Sequence, residues 1–252
     1  MKVFVVNLKN AVDKRHHMEA QFQKLGIQNY EFFEAINGAE LTPEFIADNV
    51  HDYPHCALTL GEIGCALSHL EIYKKIVREN YACAMILEDD IALPNNFAEL
   101  LDSMEASMTC AEGKVVSLGR ANKVTLLKKY YSFKEFGEYT AVTAFGTYAY
   151  LINFAGAKSL SEQLLPIKFE ADMFMHFREN GWLGQFHILY PQYVHLIDEY
   201  EVQSALKPER DKLREQRHIY KKYTLLKDRP FSLRLKNRLN RTFWKIKQIK
   251  QR

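Results

Sequence analysis

Three carboxylates in a row, Glu88, Asp89 and Asp90, end the apolar run Met85-Ile86-Leu87. Like charges this close repel, so the arrangement calls for hydrogen-bond donors or a cation to offset them. A β-strand has a side-chain period of two, which puts Glu88 and Asp90 on one side and Asp89 on the other. Two acids then face one ion. Mg²⁺ and Mn²⁺ prefer oxygen ligands and commonly take one or two carboxylates plus the phosphates of a nucleotide. That is the composition of a nucleotide-sugar site. The competing reading is a strand running into an acidic, solvated loop or a helix N-terminus, where carboxylates are favourable without an ion.

The elements that would position these acids are legible on either side of them. Val3-Phe4-Val5-Val6 is a continuous apolar run, as in a buried parallel strand, and it ends at Asn7-Leu8. A helix follows from about Val12 to Leu25, with Met18, Phe22 and Leu25 at apolar spacing and Gly26 as its stop. Residues 27–36 offer a second strand. Thr59 and Glu62 match a capping box, so a helix starts near Gly61 and runs to about Glu79, with Ile63, Leu67, Leu70 and Tyr73 as its buried stripe. Strand, helix, strand opens an α/β fold, whose ligands bind off the C-terminal strand ends. Val115 to Leu118, residues 143–152 with a bend near Gly146, and Phe186 to Tyr190 read as later strands. Helices are expected from Gly156 and across Asp172 to Glu179.

At 252 residues, 47% apolar and 26% charged, the chain has the composition of one globular domain with room for a small annex. The start, Met1 to Leu8, reads as a strand rather than a secretory leader, and no window has the roughly 18 apolar residues of a membrane span. Cys56, Cys65, Cys83 and Cys110 lack paired spacing and stand among apolar neighbours, which suits reduced core thiols and a cytoplasmic location. The net charge of +3 conceals an asymmetry: from Ala205 onward there are 17 Lys and Arg against 4 Asp and Glu. Lys236 to Arg252, with Leu235, Leu239, Phe243, Ile246 and Ile249 at spacings of three and four, reads as a basic amphipathic helix. It lies on anionic membrane, binds a partner groove, or packs against its own domain. Nucleic acid is not the expected partner, because no binding motif accompanies the tail and the body is acidic.

Several segments taken together resemble glycosyltransferase family 25. They are Val5, Asn7 and Leu8 with Arg15 and Met18, Leu60 to Cys65 with Ser68-His69, Ile86 to Asp90, and Gly146 to Ile152 with Gly156-Ala157. The resemblance extends over residues 2–205. It implies a GT-A-type fold, a mixed, mostly parallel α/β sheet flanked by helices. It implies residues 1–205 as the transferase domain, which leaves the basic stretch 206–252 as a helical extension. It further implies inverting transfer of a sugar, galactose from UDP-galactose first, with Mn²⁺ or Mg²⁺ as cofactor. The lipid-linked acceptor would be a lipooligosaccharide core at the cytoplasmic face of the inner membrane of a Gram-negative bacterium. UDP-glucose or a UDP-N-acetylhexosamine would suit the same scaffold, as would a non-catalytic sugar-binding protein with a relic donor site.

Within that scheme Asp90 contacts the metal first, with Glu88 beside it and Asp89 on the ribose or through water. His195, in Pro191-Gln192-Tyr193-Val194-His195-Leu196, is a further candidate ligand that departs from the expected polar residue there. Asn7 and Leu8 would lie by the uracil or ribose, and Arg15 would reach the diphosphate with its planar fork. Glu62, Ser68 and His69 are donor-side candidates, although the capping box alone accounts for Glu62. Tyr148 and Tyr150 are candidates to stack on the acceptor sugar, against the alternative of core packing. Asp172 is the candidate base, a lone acid flanked by large apolar residues that would desolvate it. A helix-start carboxylate is its alternative reading.

Overall fold

Alternation along the first strands sets the layers of the molecule, seen in a computed structural model that describes residues 1–197, 207–227 and 229–250. β1 (Lys2–Asn7) turns Val3 and Val5 to one face of the sheet and Phe4 to the other. β2 (Tyr30–Glu34) and β3 (Cys83–Glu88) both pair with it in parallel. Met85 and Leu87 join the face of Val3, and Ala84 and Ile86 join that of Phe4. On the Val3 side, α1 (Val12–Leu25) and α4 (Phe97–Met104) bury Met18, Phe22, Phe97 and Leu100. The other side is covered by α2 (Pro43–Asn49), α3 (Leu60–Arg78), α5 (Phe154–Gln163) and α6 (Phe174–Glu179). Each fully buried Leu, Ile or Phe contributes about 1.5 to 3 kcal/mol, so both helix layers are held mainly by apolar burial.

The remaining strands are β4 (Ile91–Ala92), β5 (Lys114–Ser117), β6 (Ala121–Thr125), β7 (Tyr131–Phe133) and β8 (Phe136–Ala144). They are followed by β9 (Ala149–Asn153), β10 (Gln185–Tyr190), β11 (His195–Leu196) and β12 (Gln248–Lys250). The sheet is mixed, in the order β12-β6-β8-β10-β5-β9-β3-β1-β2, with β7 paired to β8. β9 runs antiparallel between β3 and β5, whereas β5 and β10 are parallel. This is an α/β architecture of the GT-A-like kind, and it sets β1 and β3 with their C-terminal ends on one edge.

Local rules account for the helices around that edge. Gly26, at φ +70°, closes α1 in the left-handed conformation that glycine adopts without a Cβ clash. Thr59 and Glu62 form the expected reciprocal capping box on α3. Two expectations need correction. The region 143–152 is two strands, β8 and β9, parted at Gly146, whose φ of +92° breaks the extended run. The amphipathic pattern of 236–252 is not one helix: after α7 (Lys207–Tyr220), α8 spans Phe231–Trp244, and β12 then adds a strand to the edge of β6. Unpaired backbone groups on that edge outweigh the helical spacing of Ile249. The expected boundary at 205/206 lies outside the described residues.

α8 is moored through its polar face. Arg229 Nη1 donates to Glu179 Oε2 at 2.7 Å, Arg241 donates to Glu179 Oε1, and Asn237 Nδ2 donates to the Glu179 carbonyl at 2.9 Å. Burial alone would raise the Glu179 carboxyl, but hydrogen bonds from His176, Arg241 and Arg229 hold it down to about 2. A folded-state pKa below the ordinary 4.5 stabilises the fold above about pH 4.5, and that contribution is lost as pH falls toward 2. Denaturant unfolding of Glu179→Gln should therefore show a loss on the order of 2 to 3 kcal/mol near neutrality that vanishes at low pH. Identical pH profiles for the two proteins would contradict this mooring.

Candidate active site

Because β1 and β3 are parallel, their C-terminal ends bring Asn7-Leu8 and Glu88-Asp89-Asp90 to the same edge. Asn7 Nδ2 donates to Asp89 Oδ2 at 2.7 Å and to the Ala11 carbonyl at 3.1 Å. From α1, Lys14 Nζ donates to Asp89 Oδ1 at 3.0 Å and lies 3.4 Å from Asp90 Oδ2. Gln21, two turns on, grips the following backbone through the Ile91 carbonyl and the Leu93 N–H. The strand ends at Glu88 and the two aspartates lie in a bend, so the expected alternation stops there. Asp89 and Asp90 share one ammonium, and Glu88 turns toward α3. Asp90 Oδ1 is buried with no hydrogen-bond partner among the described residues.

On the α3 side, Glu88 accepts a short hydrogen bond from Thr147 Oγ1 and lies 3.9 Å from His69 Nε2. His69 Nδ1 is 2.7 Å from the Tyr150 hydroxyl, which also meets Tyr73 Oη at 2.8 Å. His69 Nε2 is buried without a hydrogen-bond partner among the described residues. Among those residues, Cys65, His69 and Glu88 bring potential ligand atoms within 4.8 Å of one another. Asp172 stands two residues before α6 and accepts from the Gly146 N–H at 2.9 Å. The segment Gly146-Thr147 thus holds Asp172 with one residue and Glu88 with the next.

Burial and the neighbouring Asp90 charge push the Glu88 carboxyl up to about 7, against the hydrogen bond from Thr147. Burial also raises Asp90, although Lys14 opposes it, and raises Asp172, although the Gly146 N–H opposes that. Burial lowers His69 to about 3, so its imidazole is neutral. Lys14 is raised: burial disfavours its charge, but Asp90 and Asp89 outweigh that cost. Among the described residues the corner sets three acids against the Lys14 ammonium.

The other expected site residues sit as follows. Leu8 is exposed at the mouth of this edge. Arg15 points elsewhere, pairing with Glu19 at 3.0 Å and lying over the Phe32 ring at 4.5 Å. One residue on a helix is a rotation of about 100°, and Lys14 is the residue facing the acids. Glu62 is buried and spends its carboxylate on Thr59, Arg210 and Arg217, leaving no face for a donor. Ser68 Oγ accepts from the Ile36 N–H at 2.8 Å and donates to the Gly64 carbonyl, bolting the loop after β2 to α3. That approach needs glycine: a Cβ on Gly64 would come within 2.5 Å of the Ile36 carbonyl oxygen. Tyr150 is fully buried, and Tyr148 packs in the opposite face of the core with its hydroxyl accepting from the Arg120 N–H at 2.6 Å. Neither ring is presented for stacking on a sugar. His195 is exposed on β11, opposite Ala92 of β4, and outside the ligand cluster.

Lys14, Thr147 and Cys65 are the residues that sequence reasoning passed over. Lys14 lies seven residues beyond Asn7 and one before Arg15, so helical phase relative to the strand end was the available signal. Thr147 and Cys65 fall inside the segments that resemble the family, but a threonine in a strand run and a thiol among apolar residues read as packing. α7 completes the surroundings. Arg217 is buried, donates to Glu62 and to the Ala57 carbonyl, and lies 3.3 Å from Glu170, which Lys221 also binds at 2.7 Å. The N-terminus of α3 is thereby tied to the loop that carries Asp172.

The sequence profile of Glycosyltransferase family 25 (LPS biosynthesis protein) matches residues 1–175, a span that includes every side chain of this edge from Asn7 to Asp172. The chain belongs to glycosyltransferase family 25. Among similar proteins, a glycosyltransferase 25 family member of Aedes aegypti is 29% identical over 205 residues, covering 73% of this chain and 32% of that one. One of Drosophila melanogaster is 38% identical over 106 residues, 39% of this chain and 17% of that protein. Procollagen galactosyltransferase 1-A of Xenopus laevis is 31% identical over 129 residues, 47% of this chain and 21% of that protein. The chain therefore spans about a third or less of the length of these relatives.

Thr147→Val removes the hydrogen bond that opposes the rise of Glu88, and its carboxyl should then titrate higher still, by on the order of one unit. Carbon-13 NMR titration of the glutamate side chains would register the change. An unmoved Glu88 resonance would mean that Thr147 does not act on it.

Proposed function

We propose that this family 25 chain is an inverting, metal-dependent hexosyltransferase that moves galactose from UDP-galactose to a lipooligosaccharide core at the cytoplasmic face of a bacterial inner membrane. The observation that carries the proposal is the acidic corner at the shared C-terminal edge of β1 and β3, where the buried Asp90 Oδ1 has no hydrogen-bond partner among the described residues. The carboxylate oxygens of Asp90 and Asp89 there fit a hard divalent cation, with Asp90 as its first holder, while Glu88 stands on the α3 side beside His69 and Cys65. Mn²⁺ or Mg²⁺ bound there would offset the charge that builds on a departing diphosphate. The family's description as an LPS biosynthesis protein supports the acceptor class, and the galactosyltransferase name of the Xenopus relative supports the donor.

This chain's own groups then divide the remaining work. Asn7 fixes Asp89 in place and, with Leu8, borders the space for the nucleoside. Lys14 neutralises the two aspartates and would give up part of that contact to a diphosphate and a cation bound there. The acceptor hydroxyl attacks C1 of the sugar, the C1–oxygen bond to UDP breaks, and the hydroxyl proton passes to Asp172. Its Oδ2 is held by Gly146, its carboxyl is raised by burial, and the raised basicity suits it to that proton.

Incubation with Mn²⁺ and a panel of UDP-sugars should give the fastest UDP release with UDP-galactose. Asp90→Asn should abolish the metal dependence, and Asp172→Asn should slow turnover at least about 100-fold with the fold intact. Full metal-dependent turnover by Asp90→Asn would refute the cation assignment. Metal-dependent UDP binding with no turnover by the native chain would leave a sugar-binding protein instead.

A further inference from the structure

α8 is an amphipathic helix mounted the wrong way round for a helix that serves only its own core. Leu233, Asn237, Arg241 and Trp244 face the domain: Asn237 and Arg241 bind Glu179, and the Trp244 ring lies 4.3 Å beneath the Arg178 guanidinium. The opposite side carries Phe231, Leu235, Leu239, Phe243 and, just past the helix, Ile246, which are between 46% and 71% exposed. Their spacing of four, four, four and three makes a single stripe along one side of the helix. Isolated exposed apolar residues are ordinary, but a continuous row of five large ones marks a surface built to be covered.

The charges beside the stripe say by what. From Arg229 to the C-terminus the sequence has nine Lys and Arg and no Asp or Glu. Arg234, Lys236, Arg238, Lys245 and Lys247 are exposed and border the apolar row. Side chains of this kind bury aliphatic stems against hydrocarbon and carry their charge to the headgroup level. A second copy of the chain would bring this wholly basic rim against itself, a repulsion that grows with every pair. An anionic bilayer reverses the sign of that term: each near-surface cation is attracted, and the apolar row enters the acyl boundary.

We propose that the outward face of α8 docks the protein on the surface of an anionic phospholipid membrane, lying in the interface plane without crossing it. Among the described residues no helix is long and apolar enough to cross a membrane. The Glu179 mooring makes the docking useful: it fixes the helix to the body, so the sheet edge rides at a defined attitude to the lipid. This inference stands on α8 alone and does not depend on the donor or acceptor proposed above.

The test is sedimentation of the full chain with vesicles of phosphatidylcholine alone and of phosphatidylcholine carrying phosphatidylglycerol. Binding should be at least about tenfold tighter to the anionic vesicles and should weaken as salt rises. Leu239→Ser with Phe243→Ser should weaken it by a further factor of at least about ten. Both side chains are exposed, so the thermal transition of that variant should match the native one. Lys245→Glu with Lys247→Glu should remove the preference for anionic lipid. Absence of binding to anionic vesicles, or binding unchanged by the serine pair, overturns the proposal. So does a dimer in vesicle-free solution that the serine pair converts to monomer, which would make the face a self-association surface.

Discussion

Crowding of like charge where β3 ends is the constraint on which the rest of this molecule turns. Glu88, Asp89 and Asp90 leave the sheet together, and at the separations of adjacent residues their mutual repulsion would amount to several kcal/mol in a partly buried setting. The fold answers with hydrogen-bond donors drawn from three segments of the chain. Lys14 and Asn7 hold the aspartates, Thr147 holds Glu88, and the nearby His69 stays neutral and adds no charge of its own. The offset is incomplete, because Asp90 Oδ1 has no partner among the described residues and Glu88 is driven up to about 7. A protein selected for stability alone would not retain such a corner. A family 25 transferase that received a diphosphate with a cation, as proposed above, would have reason to.

Precise placement of that corner depends on parts of the chain far from it in sequence. Arg217 of α7 is buried between Glu62 at the start of α3 and Glu170 near Asp172. Removing one partner of a buried pair costs about 3 to 5 kcal/mol, so α7 acts as a clamp across the two segments that carry His69 and Asp172. α8 then extends from the same region on its own Glu179 mooring. The basic stretch that composition sets apart is thus joined to the acidic body through charge pairs, and its apolar side is left facing outward.

Elements governed by local rules were legible in the sequence. Gly26 and the Thr59–Glu62 pair bounded α1 and α3, and the apolar runs marked β1, β3, β5 and β10, because propensity, capping and burial agree there. β6, β7 and most of β8 were not legible. Their strands interleave Lys, Glu, Thr, Asn and Gly with apolar residues in no strict alternation and owe their pairing to neighbours supplied by the tertiary fold. β12 was hidden by a helical spacing that an open sheet edge overrode. At the site, the edge and its three acids were visible, and Asp172 stood out only as a candidate, by its apolar flanks. Choosing Lys14 over Arg15, or learning that Tyr150 turns inward to His69, required knowing the phase of α1 and the faces of β9.

The most direct measurement is anomalous diffraction from crystals grown with Mn²⁺ and UDP. The account predicts a manganese peak within coordination distance of Asp90, the diphosphate beside it at the common edge of β1 and β3, and the Lys14 ammonium shifted from its position between the two aspartates. A corner still closed by Lys14, with manganese and nucleotide bound elsewhere, would contradict it.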